Sequence, residues 1–289
     1  MTNLALLPSR GVVEVAGDDR VGFLQGLVSN DVTQAAPGRA VWTGFLSPQG
    51  KWLSDFFVLA EGDRLLLDCP ADHAVMLVAK LSRFRLRSKA TVRDASADLA
   101  VGAAWGGTPD LPPGVIAAPD PRLPEAGWRI LSPVPLPATA APADWDAHRI
   151  ALGLPDAGDL EPDRTLLLEA GFDELNGVSW SKGCFMGQEL TARTRYRGLV
   201  KRRLVPVSVL GALPAPETPV YRDGQEVGTL RSGRGAAALA MLRLDALEAG
   251  PLECGEALVT PRVPAWMRLA KEGQGAALDP PSVPSTPSA

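Results

Sequence analysis

Residues 178–198 read V-S-W-S-K-G-C-F-M-G-Q-E-L-T-A-R-T-R-Y-R-G, and the eight positions from Lys182 to Glu189 decide how the whole chain is read. They bring together an ammonium, a lone thiol between two glycines, an amide and a carboxylate, followed by a dense run of arginines. Positive charge nearby favours the thiolate, the form of cysteine that attacks and that binds metal. Gly183 and Gly187 let the backbone take positive φ or approach a ligand closely. Cys184 therefore has three readings: a ligand to iron shared with thiols of another protein, a reversible redox thiol, or a small buried hydrophobe. Gln188 and Glu189 either orient the loop and hold Lys182 through charge-assisted hydrogen bonds or cap a helix beginning near Gly187.

The octapeptide Lys182-Gly183-Cys184-Phe185-Met186-Gly187-Gln188-Glu189 resembles the K-G-C-[YF]-x-G-Q-E signature of the YgfZ-type folate-binding proteins. That family is related to the glycine-cleavage aminomethyltransferases and acts in iron–sulfur cluster assembly. The continuation Glu189-Leu190-Thr191-Ala192-Arg193-Thr194 is especially similar to the group's mitochondrial member. Weaker matches are Phe23-Leu24-Gln25-Gly26 with Ser29-Asn30-Asp31-Val32, Phe45-Leu46-Ser47-Pro48-Gln49-Gly50-Lys51 with Asp55-Phe56, and Arg149-Ile150 with Gly153-Leu154-Pro155. The resemblance implies an α+β fold: a tandem aminomethyltransferase-like body over 1–198, built of two α+β subdomains, then a small antiparallel β-barrel over 199–270. It implies non-covalently bound tetrahydrofolate and a role beside iron–sulfur assembly or client proteins, with Lys182, Cys184, Gln188 and Glu189 as the working residues. The chain departs from the aminomethyltransferase pattern at two places. Ala151 stands where a segment similar to R-x-E-x-G carries its acid, which leaves pterin binding either weaker or carried by Glu169 instead. Ser54-Asp55 replaces a pair of aspartates, which argues against aminomethyl transfer.

Composition narrows the alternatives. A chain of 289 residues, 46% hydrophobic, has material for more than one core. A formal net charge of −4 does not suit a general coat for nucleic acid. Cys69, Cys184 and Cys254 are odd in number and far apart, which implies reduced thiols and, with no secretory start or membrane-length apolar run, a cytoplasmic protein without membrane contact. No CxxC and two isolated histidines imply no metal held by this chain alone. Cys69 and Cys254 read as structural.

Along the chain, Val12–Val15, Ala40–Leu46, Trp52–Leu59 and Leu65–Leu67 read as strands, and Ala71–Leu81 and Ala143–Leu152 as helices. The alternation over Phe84–Arg93 predicts a strand with Phe84, Leu86, Ala90 and Val92 on one face and arginines on the other. From about residue 200 short strands alternate with turn formers, including the hairpin signal Asp223-Gly224, which predicts the barrel. The tail over 271–289 reads as disordered.

A folate site needs a flat apolar slot, an acid for the amino-pyrimidine edge and cations for the glutamate tail. Trp42, Phe45, Trp145 and Trp180 are the available aromatics and Asp55 and Glu169 the acids; Arg85, Arg87 and Arg193 are candidates for the tail. The basic stretches 80–93 and 193–203 also suit an acidic partner or, less directly, RNA. Two rival readings stand beside the assembly role: a folate-dependent one-carbon transferase that needs Asp55 rather than Cys184, and an RNA-binding module acting in tRNA modification. The thiol is expected on a solvent-reachable loop or helix start that faces the cleft between body and barrel.

Overall fold

The computed structural model describes residues 2–248 and 250–269; the tail expected to be disordered over 271–289 lies outside them. The chain opens with β1 (Asn3–Leu6), β2 (Arg10–Ala16), the short helix α1 (Arg20–Gln25), β3 (Val41–Leu46), β4 (Trp52–Glu61), β5 (Arg64–Pro70), α2 (Ala74–Phe84) and β6 (Thr91–Asp94). It continues through β7 (Ala100–Trp105), β8 (Ile116–Pro119), β9 (Trp128–Ser132), α3 (Pro142–Leu152) and α4 (Gln188–Tyr196). The last six strands are β10 (Arg202–Leu210), β11 (Pro219–Arg222), β12 (Gln225–Arg234), β13 (Ala237–Arg243), β14 (Leu252–Cys254) and β15 (Ala257–Pro261).

Three antiparallel units result. A five-stranded sheet runs β3-β4-β5-β2-β6, a four-stranded sheet runs β1-β7-β9-β8, and β10 to β15 close a barrel. The first strand belongs to the second sheet, so the two halves of the body are interleaved rather than consecutive.

The two-residue period of the strands sorts the first sheet into two faces. Val13 and Val15, Phe56 and Val58, and Leu65, Leu67 and Cys69 pack under α1 and α2. Val12, Phe57, Leu59 and Leu66 face the second sheet, where Val101, Ala103 and Leu131 meet them. Arg10, Asp55 and Asp68 share the parity of this second set, so the same pleat that buries Val12, Phe57 and Leu66 directs three charged groups between the sheets. In the barrel, Val205, Val207 and Val209 point inward while Leu204 packs on the body. Asp223 and Gly224, both at positive φ, form the two-residue loop between paired Arg222 and Gln225, the geometry that favours this dipeptide in hairpins. The barrel is tied to the body by ion pairs from Arg203 to Glu174 (2.6 Å) and from Arg231 to Glu161.

One element differs from its reading in sequence. Phe84–Arg93 is not a strand: α2 continues to Phe84 with Ala74, Leu77 and Leu81 buried, a turn follows with Leu86 at φ 40°, and only Thr91–Asp94 pairs with β2. The alternating arginines mimic a pleat, but the chain has to reverse here to reach the free edge of β2. Phe84 and Leu86, expected on one face with Ala90 and Val92, are exposed while Ala90 is buried.

Candidate functional site

The loop before α4 rests on the first half of the body. Burial pushes the Lys182 ammonium down to about 8, with Asp31 pulling the other way. At neutral pH it therefore keeps three protons, and it donates them to the carbonyls of Gln25 (2.6 Å), Val28 (2.6 Å) and Asn30 (2.9 Å). The Met186 amide donates to Gly26 O at 3.2 Å and the Ser179 amide to Ser29 O at 3.0 Å. On the far side Gly187, at φ 81°, lies against the Ser47–Lys51 turn so closely that a Cβ there would sit 2.8 Å from Gly50 Cα and from Ser47 O. Gly50 is equally constrained, since its own Cβ would come within 2.7 Å of Gly187 O. The short segments 23–26, 29–32 and 47–51, each weak alone, are thus the seat of the octapeptide.

Within this clamp Phe185 turns into the core while Cys184, next to it, is exposed. The Lys182 and Met186 hydrogen bonds that seat the octapeptide run to residues 25–30 in the first half of the body. One expectation is corrected. Gln188 and Glu189 do not hold Lys182, whose protons are all engaged by backbone. Gln188 Oε1 accepts weakly from the Phe185 amide (3.4 Å), and Glu189 pairs with Arg193 one turn along α4 (2.6 Å). The other two thiols are buried; burial pushes Cys69 up to about 12 and raises Cys254 as well, so neither is a nucleophile. Among the described residues no three His, Cys, Asp or Glu side chains come together as a metal site.

A second candidate region lies between the two sheets, a narrow cleft with about 40 Å³ of free volume lined by Arg10, Asp55, Phe57, Arg122, Arg129, Trp145, Arg149 and Asp156. Asp68, fully buried, anchors it by accepting from Arg10 Nε at 2.6 Å and from Arg129 Nε at 2.9 Å. Arg122 pairs with Asp120 (2.7 Å) and lies over the rings of Trp42 and Phe57. Arg149 reaches Asp159 at 2.8 Å. Asp55 is held by two indoles, accepting from Trp42 Nε1 (2.8 Å) and Trp52 Nε1 (3.1 Å). Burial raises its pKa, with the charge of Arg10 opposing. Asp156 is the reverse case: burial acts to raise it, but the guanidiniums of Arg10 and Arg149 win and hold it at about 2.

Of the folate contacts expected from sequence, the cleft brings together Asp55 and Trp145. Glu169 is excluded from it, since its carboxylate accepts from the Leu166 amide (3.1 Å) and faces Arg202 (3.4 Å). Arg85 and Arg87 sit on the exposed turn after α2, and Arg193 lies exposed on α4, so none of the three lines the cleft. Trp42 is stacked on Phe172 (3.9 Å), Trp180 donates to Asp173 (2.7 Å) beneath Arg195, and Phe45 packs under α1 and α2. Sequence reading missed Arg10, Arg122, Arg129, Arg149 and Asp156. The available signal was a single charge inside an apolar strand, as in W-R-I-L-S over β9 or L-L-L-D-C-P over β5, because such a group is buried only with a partner.

The second basic stretch is largely neutralised in space: Arg193, Arg195, Arg202 and Arg203 pair with Glu189, Asp173, Glu169 and Glu174.

Residues 201–269 match the family described as the CAF17 C-terminal beta-barrel domain. The chain is 34% identical to the mitochondrial iron-sulfur cluster assembly factor IBA57 of Mus musculus, over 91% of this chain and 85% of that protein. It is 33% identical to the Homo sapiens protein of the same name, over 90% of this chain and 84% of that one. The IBA57 homolog of Mycosarcoma maydis is 39% identical over 74% of this chain, which spans 59% of that longer protein. The fold matches the crystal structure of glycine cleavage system aminomethyltransferase T from Bartonella henselae, with TM-score 0.71, 14% identity and coverage of 91% and 85% of the two chains. The tandem body and closed barrel expected from the octapeptide are therefore present. The cytoplasmic placement is corrected by these relatives, all three of them mitochondrial proteins. Three separated, reduced thiols distinguish a reducing compartment from an oxidising one and do not say which reducing compartment it is.

Proposed function

The chain belongs to the family of the iron–sulfur cluster assembly factors IBA57, and on that premise we propose that it assists in assembling or repairing the clusters of client enzymes, with Cys184 as its working group. The observation that carries this reading is the exposure of one thiol on a loop clamped from both sides, by Lys182 on three carbonyls and by Gly187 on Gly50. A fixed backbone beneath an exposed thiol suits a group that must be presented to a partner in one position. A single thiolate cannot complete a tetrahedral iron site, so a cluster passing through this site takes its other ligands from an assembly or client protein or a small thiol. Ligation replaces the thiol proton, which leaves to solvent. The cluster is cargo here.

Tetrahydrofolate in the cleft is the second part of the proposal. Asp55 supplies an acid for the amino-pyrimidine edge, Trp145 and Phe57 supply flat apolar surface, and Arg10, Arg122, Arg129 and Arg149 supply the cations in place of the three surface arginines. A drug-sized ligand takes roughly 300 Å³ or more, so pterin entry requires the cleft, about 40 Å³ here, to widen. Calorimetry with tetrahydrofolate at low salt tests this part alone; heat of binding that Arg122→Ala alters supports it, and no binding removes it. The transferase alternative rests on Asp55, which has Ser54 beside it in place of a second aspartate. The RNA alternative loses most of the stretch 193–203 to ion pairs.

The assembly role is tested by deleting the gene. Several cluster-dependent enzymes should lose activity together and recover with the wild-type gene, while growth on one-carbon-limited medium is unchanged. A defect confined to one-carbon growth would favour the transferase.

A further inference from the structure

The turn leaving α2 reads R-F-R-L-R-S-K over 83–89 and is built unlike the rest of the surface. Six consecutive residues, Ser82 to Arg87, are exposed, so the segment is a convex tip. Two large apolar side chains stand on it, Phe84 at 43% and Leu86 at 91% exposure. Leu86 is also held at φ 40°, a left-handed conformation that L residues with a branched side chain rarely adopt. Around this pair are Lys80, Arg83, Arg85, Arg87 and Lys89, and no acid occurs between Asp72 and Asp94. None of these five cations forms an ion pair among the described residues, whereas Arg64, Arg93, Arg195, Arg202 and Arg203 all do. The acid nearest in the hydrogen-bond network is Asp19, which accepts from the backbone amide of Lys89 and not from its ammonium.

Three kinds of surface attract cations mixed with apolar groups, and the geometry separates them. A folded protein partner needs a groove shaped to the tip and acids placed to meet all five cations. A single-stranded nucleic acid stacks its bases on flat rings, and the most exposed apolar group here, Leu86, has no ring. A bilayer takes a convex wedge without a preformed cavity: aliphatic and aromatic side chains reach the acyl boundary while the basic side chains around them stay among anionic headgroups.

We propose that the α2–β6 turn is a peripheral docking site for an anionic lipid surface, with Phe84 and Leu86 inserted and Lys80, Arg83, Arg85, Arg87 and Lys89 on the headgroups. No helix among the described residues is long and apolar enough to cross a membrane, and the contact is at the surface only. It is independent of Cys184 and of the cleft, and it departs from the expectation, read from sequence, of a protein without membrane contact.

The test is co-sedimentation of the full chain with phosphatidylcholine vesicles, with and without about 30% phosphatidylglycerol, at low and at raised salt. Binding is expected only to the anionic vesicles. Phe84→Glu combined with Leu86→Glu should reduce partitioning at least about tenfold, since the apolar anchors become like-charged with the headgroups. Arg85→Ala and Arg87→Ala should each reduce it about fivefold, the equivalent of ~1 kcal/mol per basic side chain, and raised salt should act in the same direction. All substituted side chains are exposed, and unchanged thermal unfolding will show that the variants fold. No binding to anionic vesicles at low salt overturns the proposal, as does equal binding to neutral vesicles or binding that survives the Phe84/Leu86 double substitution. Binding of a single-stranded oligoribonucleotide through Phe84, with vesicles ignored, would assign the tip to nucleic acid instead.

Discussion

The Cys184 loop and the intersheet cleft are opposite solutions to placing ionisable groups in one fold. The loop leaves its thiol open to solvent and secures the backbone beneath it with a lysine and two glycines. The cleft buries its charges and satisfies nearly every one with a partner, Asp68 serving Arg10 and Arg129 together. A thiol that must meet another protein gains from exposure, whereas buried guanidiniums are tolerable only as members of a network. Function and stability should therefore separate: substitutions in the cleft should destabilise the protein, and substitution of the thiol should not.

The largest effect is expected at Asp68. Asp68→Ala leaves two buried guanidiniums without their carboxylate and should cost about 3–5 kcal/mol, read as a lower urea midpoint at unchanged m value. A loss below ~1 kcal/mol would mean that the cleft is solvated and that the contrast with the loop is false.

Lys182→Met comes next. It leaves three backbone carbonyls short of a donor and should cost about 1–3 kcal/mol. Hydrogen exchange should quicken at residues 181–187, with the barrel unaffected. Equal acceleration throughout the chain would show that the clamp supports the whole body and not the thiol loop.

Acid should act on the cleft. Asp156 is held at about 2 in the folded chain against an ordinary 3.8, so its contribution is complete above pH ~4 and is lost as pH falls toward 2. With its side chain 28% exposed, the loss is about 1–2 kcal/mol. Asp156→Asn should flatten the stability profile in that window, and an unchanged acid limb would refute the ion pair.

These expectations also mark what could be read from sequence. The octapeptide, its glycines and the Asp223-Gly224 hairpin were legible because their chemistry is local: a turn, a helix start, a close approach. The cleft was not, because its partners are distant in the chain; Arg10 and Asp68 are 58 residues apart and Arg129 and Asp68 are 61. Asp55 and Trp145 reached the cleft while Glu169, Arg85, Arg87 and Arg193 did not, since residue type says what a site needs but not which copy the fold will present. The stretches 80–93 and 193–203 look alike in composition, yet acids on α4 and in residues 169–174 neutralise most of the second, while Lys80 to Lys89 have no ion pair among the described residues. Alternation over Phe84–Arg93 misled for a related reason: a pleat and an exposed basic turn can share the same pattern, and only the position of β2 decides between them.

The smallest stability effect, and the most direct test of the account, is Cys184→Ser. The variant should unfold within about 0.5 kcal/mol of wild type, while Cys69→Ala, in the core, should cost about 1 kcal/mol and leave function intact. In a strain carrying only Cys184→Ser, the activities of several cluster-dependent enzymes should fall to the level of the deletion strain although the protein accumulates normally. Full activity of those enzymes in that strain, together with failure of Asp55→Ala on one-carbon-limited medium, would contradict the account and move the working site from the loop to the cleft.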